Sequence, residues 1–115
     1  WEKNMDSFDV VISPKALSQL NHYIDYVQYT LLNDQAAYNV WKDAMETRDQ
    51  LSKVAGSLTP SSHPLLKKNG YHIINFQRHR YLMVYRLEDQ TAYVDAIYHQ
   101  LQDYENIFAD ALNLQ

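Results

Sequence analysis

Three runs of alternating large side chains follow one another almost without pause in the second half of the chain: "YHIINFQ" (71–77), "RYLMVYRLE" (80–88) and "TAYVDAIYH" (91–99). Their period of two and their Val, Ile and Tyr content predict β-strands. The breaks at Arg78-His79 and Asp89-Gln90 predict tight turns, so the three form an antiparallel meander. A meander alone buries too little apolar surface to fold, and something else in the chain must cover one of its faces. In the middle strand Tyr81, Met83, Tyr85 and Leu87 share the expected core face. Arg80, Leu82, Val84 and Arg86 share the other, with Arg78 and His79 joining them at the turn.

The first half supplies the cover. "FDVVIS" (8–13) predicts a short strand, and Ser13 and Pro14 are an N-cap and a first helical residue. Leu17, Leu20, Ile24, Val27 and Leu31 then recur at steps of three and four, the stripe of an amphipathic helix. Asn33-Asp34 breaks it and opens a second helix whose stripe reads Ala37, Trp41, Ala44, Arg48 and Leu51, with Gly56 as its stop. So short a connection makes an antiparallel helical hairpin. Residues 57–70 hold Pro60 and Pro64 and predict the longest linker. The expected fold is α+β: an N-terminal strand and an antiparallel helical hairpin packed on an antiparallel sheet of about four strands, with the first strand joining the meander.

One domain is expected over 8–108, flanked by a disordered or added N-terminus (1–7) and a C-terminal tail (109–115). The chain has no cysteine, which excludes disulfides and thiolate metal sites and makes the cytoplasm the expected compartment. No apolar run reaches the roughly 18 residues of a membrane span, and the N-terminus lacks the apolar core of a signal peptide. His22, His63 and His72 are scattered without the close spacing of a metal site, so no metal and no cofactor are expected. The net charge is −4, yet Lys67, Lys68, Arg78, Arg80 and Arg86 occur in a stretch without a single acid. Gathered on one face of the meander, they would bind a polyanion or an acidic protein surface. Tyr23, Tyr26 and Tyr29 offer a contact patch on the first helix.

The order β-α-α-β-β-β, with "VYRLED" (84–89) and "IYHQLQDYENIF" (97–108), resembles the RelE/ParE superfamily of toxins from bacterial type II toxin-antitoxin modules. The resemblance runs from Phe8 to about Phe108. It implies a cognate antitoxin as partner and one of two activities. RelE-like members are ribosome-dependent mRNA endoribonucleases, and ParE-like members inhibit DNA gyrase without being enzymes.

Metal-free RNA cleavage needs a proton acceptor, a proton donor and cations near the phosphate. If the chain is RelE-like, Arg80, His99, Tyr104 and His79 would carry that chemistry, with ribosome and mRNA as partners. The resemblance also implies two further arginines, at places that here hold Leu82 and Gln100 or Leu101. Arg80 could stand in for the first, displaced by about 7 Å along the strand. The acidic average, with a pI near 5.6, is also unlike a protein that docks on ribosomal RNA. These departures favour the ParE-like reading, in which Lys67, Lys68, Arg78, Arg80 and Arg86 contact the antitoxin or a protein target such as gyrase. A non-catalytic interaction module or decayed toxin is the remaining alternative. No nucleophile elbow, phosphate loop or dinucleotide fingerprint points to another enzyme.

Overall fold

The structure, a computed structural model, describes residues 7–113. Residues 1–6, and with them most of the expected unstructured N-terminus, lie outside the described residues. So do residues 114 and 115. Ser7 is within the described part, and its carbonyl accepts a bond from Gln90 Nε2 at 3.0 Å.

Strand β1 (Asp9–Ile12) leads directly into helix α1 (Pro14–Asp25), where the Ser13 hydroxyl accepts the amide of Ala16 at 3.0 Å. Ser13 caps and Pro14 opens the helix as their chemistry predicts. The last turn of this first arm, Tyr26–Thr30, widens into a π-helix that ends on Leu31, whose amide donates to the Tyr26 carbonyl at 3.0 Å. Ala16, Leu20 and Val27 are buried, whereas Leu17 and Leu31 are exposed. The expected stripe is therefore right in its middle and wrong at its ends. The cap sets the phase so that Ala16 faces the sheet, and each residue of a π-turn rotates less than an α-helical one, which carries Leu31 off the buried side.

Helix α2 (Asp34–Val54) is capped by Asn33, whose side chain accepts the Ala36 amide at 2.9 Å. It buries Ala37, Val40, Asp43, Ala44, Thr47 and Leu51, and leaves Trp41 and Arg48 exposed. The expected stripe had chosen Trp41 and Arg48 over Asp43 and Thr47. The smaller polar residues win because each is satisfied internally: the Thr47 hydroxyl donates to the Asp43 carbonyl at 2.7 Å, and the Asp43 carboxylate has the partners described below. Gly56 follows in a short 3₁₀ turn (Ala55–Ser57), where a Cβ would come within 3.0 Å of the Phe8 ring.

Strands β2 (Tyr71–Asn75), β3 (Tyr81–Glu88) and β4 (Thr91–His99) form the expected meander, with Asp89 left-handed at its second turn. The sheet order is β1-β4-β3-β2, and β1 runs parallel to β4. The sheet is thus mixed rather than wholly antiparallel. No hairpin turn joins β1 to β4; the helical hairpin, the linker and strands β2 and β3 all lie between them in sequence and provide the long crossover that a parallel pair requires.

One difference changes what the sheet can do. Its second face is covered. The predicted linker contains a short helix, α3 (Pro64–Lys68), and the chain ends in α4 (Tyr104–Ala111), which continues past the expected boundary at Phe108 to bury Ala109. Leu66, Phe108 and Ala109 pack on Tyr71, Leu82, Val84, Ala96 and Tyr98, while the helical hairpin packs on Met83, Tyr85, Ala92, Val94 and Ile97. A bulge at Asp95, where β3 residues Val84 and Tyr85 pair with Ala96 and Val94, reverses the alternation of β4 between the two layers. The amide of Ile97 beside this bulge donates to Gln19 Oε1 at 2.9 Å.

Candidate functional site

The turn between β2 and β3 is held from below by α2. Asp43, 1% exposed, accepts the backbone amides of Gln77 (3.2 Å) and Arg78 (3.0 Å) and a bond from His79 Nδ1 at 2.7 Å. The carboxylate requires a proton on Nδ1, so Nε2 is the open nitrogen of His79. Sequence reasoning missed Asp43. The available signal was its place on the buried phase of α2, between Val40 and Thr47, where an unpaired carboxylate would not be tolerated. Asn39, Lys42, Asp43, Glu46, Arg78 and His79 line a shallow groove of about 290 Å³ at this point.

The predicted cations do not gather on one face of the meander. Arg78 reaches back to α2 and donates to Glu46 at 2.7 Å, a bond that raises its already high pKa. Arg86 lies over the Tyr93 ring, 4.6 Å from its centroid, and bonds Asp95 at 2.9 Å and Glu88 at 3.1 Å. Partial burial works against its charge, but the bonds to Asp95 and Glu88 outweigh that and raise its pKa. Lys67 and Lys68 sit in the last turn of α3, where positive charge complements the carbonyl end of a helix. Arg80 is exposed on the turn, outside β3, and its carbonyl accepts the Gln100 amide at 2.7 Å. It thus lies just before the first residue of β3 rather than within the strand. Leu82 itself is 2% exposed and belongs to the core, and Leu101 is exposed.

The Arg80–Gln100 bond brings His99 close, because His99 pairs with Tyr81 and precedes Gln100. The His99 ring meets Tyr81 edge-on, and its Nδ1 accepts the Leu101 amide at 3.1 Å. The proton of the neutral ring is then on Nε2, so His99 offers a donor but no free lone pair to take a hydroxyl proton. Tyr104 lies apart from this pair on α4, stacked on Tyr98 with 6.4 Å between centroids. Burial raises its pKa and the neighbouring Glu105 adds to the effect, which makes it a weaker acid than a free tyrosine. Among the described residues there is no cluster of three or more side chains able to hold a metal ion, and no helix is long and apolar enough to cross a membrane.

No protein-family model and no curated protein matches the chain. Among solved structures, one described as "Chromosomal ParDE TA system from P. aeruginosa" superposes with a TM-score of 0.67 at 20% identity, covering 82% of this chain and 97% of that one. The chain has that ParDE fold. At such low identity the architecture is what is shared, so residue roles must come from the geometry above. The groove beside Asp43, the exposed Arg80 and the His99 ring are polar features gathered at one end of the sheet.

Proposed function

We propose that the chain is the toxin of a type II toxin-antitoxin pair, neutralised by a cognate antitoxin, and that it acts by binding a protein target such as DNA gyrase. The likeness to a ParDE structure over 82% of this chain and 97% of that one is the observation that carries the first part. The second part rests on chemistry. A ribonuclease of this kind needs free cations for the phosphate and a base for the 2′-hydroxyl. Here Arg78 and Arg86 are engaged by carboxylates, the position expected to hold another arginine is the buried Leu82, and His99 has its acceptor nitrogen occupied, which leaves His79 Nε2 and the exposed Arg80 as the groups an endoribonuclease would have to use.

Among the described residues, Arg80, Lys67 and Lys68 are the members of the predicted set with no carboxylate partner, and they would contact the antitoxin or the target. The test adds purified protein to a gyrase supercoiling assay and to a translating ribosome assay. Loss of supercoiling with intact mRNA is expected. Site-specific mRNA cuts that disappear in Arg80→Ala or His99→Ala would replace the proposal with the endoribonuclease reading.

A further inference from the structure

The tip of the helical hairpin combines features that neither folding nor the toxin reading uses. Leu32 sits at the turn between α1 and α2 with φ 53°, a left-handed conformation that glycine or asparagine adopts easily and leucine does not. Among the described residues, the other non-glycine residues with positive φ are Asp89 and Asn113, of the tolerated types. Leu32 is also 82% exposed, so its side chain contributes nothing to the core. It is flanked by exposed Tyr26, Tyr29 and Leu31, the tyrosines being carried on the π-turn, a distortion often found at functional sites. His22, Asp25, Tyr26, Tyr29 and Thr30 line a shallow groove of about 250 Å³ beside it. Tyr23, by contrast, turns inward and donates its hydroxyl to Gln102.

The charge around this tip has one sign. From Ala16 to Trp41 there is no lysine or arginine, whereas Asp25 and Asp34 flank the turn on either side. An aromatic and aliphatic centre with few charges and a polar rim is the composition of a protein-binding patch. The geometry points to a docking site at the hairpin tip for a polypeptide that presents apolar side chains flanked by lysine or arginine. Nucleic acid is the wrong partner for an acidic rim. A second copy of the chain docked tip to tip would set Asp25 and Asp34 against their own counterparts, so self-association is disfavoured as well. This inference does not depend on the toxin reading.

The test uses two fluorescently labelled helical peptides, one of leucine and lysine, the other with glutamate in place of lysine. Binding to the purified full chain is followed by anisotropy. The basic peptide should bind and the acidic one should not. Leu32→Asn and Tyr29→Ser should each weaken binding by about tenfold or more, as expected of residues at the centre of such a patch. Leu32→Asn should melt at the same or a higher temperature than the parent, since asparagine accepts the left-handed backbone. No binding of the basic peptide, equal binding of both peptides, or unchanged binding in both variants would overturn the proposal. So would a dimer in sedimentation that Leu32→Asn dissociates, because the tip would then be a self-contact.

Discussion

Asp43 shows how one side chain can decide the shape of a surface 34 residues further along the chain. Its carboxylate is the partner of two amides and a histidine, and truncation would remove the acceptor of all three donors. Asp43→Ala should lose about 1–3 kcal/mol, the usual cost of leaving hydrogen-bond donors unsatisfied, and urea unfolding would measure it. Tyr71 gives a second residue-scale prediction. Its pKa is pushed up to about 12, first by burial and then by the Asp95 carboxylate to which it donates, with Arg86 acting in the opposite sense. Burial also pushes the Tyr85 phenol up. For an acid whose folded pKa is raised, the folded state is favoured below the unfolded value of about 10, and that advantage is lost as pH climbs through the folded value. Stability should therefore fall between pH 10 and 12. Tyr71→Phe should flatten that fall if circular dichroism is followed against pH. The sequence could mark Asp43 as a buried acid but not name the partners of either residue, because the fold brings those together.

At the scale of elements the sequence was most informative where periodicity and caps agree. Ser13-Pro14 and Asn33-Asp34 mark real helix starts, and the three strand runs are real strands. The stripes were read by size, and Trp41 and Leu17 misled because large side chains at a helix surface look like core ones. The covered second face was the larger miss. "YLMVY" is apolar on both of its faces, which is the mark of a strand buried twice over, and α3 and α4 are what bury it. Both helices are short and follow loop-like sequence, so periodicity had little to act on. Phe108, 1% exposed, packs edge-on against both Tyr71 and Tyr98. Phe108→Ala should lose about 3–5 kcal/mol in chemical denaturation, a loss that a frayed tail would not show.

For the molecule as a whole, the arrangement of charge bears on the proposed function. The acid-free stretch from Lys67 to Arg86 is basic in the chain but not on the surface as one patch, because Glu46, Glu88 and Asp95 come from elsewhere to meet Arg78 and Arg86. A linear count of charge has no access to such pairings, and this is why the expected basic face dissolved on folding. That pairing of charges supports the proposed reading of a toxin directed at a protein rather than at RNA. Its most direct test is to induce the chain in bacterial cells, follow growth, and map the 5′ ends of cellular mRNA during the response. Growth should stop while mRNA stays uncut, and co-expression of a small partner gene adjoining this one should restore it. Unimpeded growth, or arrest accompanied by new cuts within translated messages, would contradict the account.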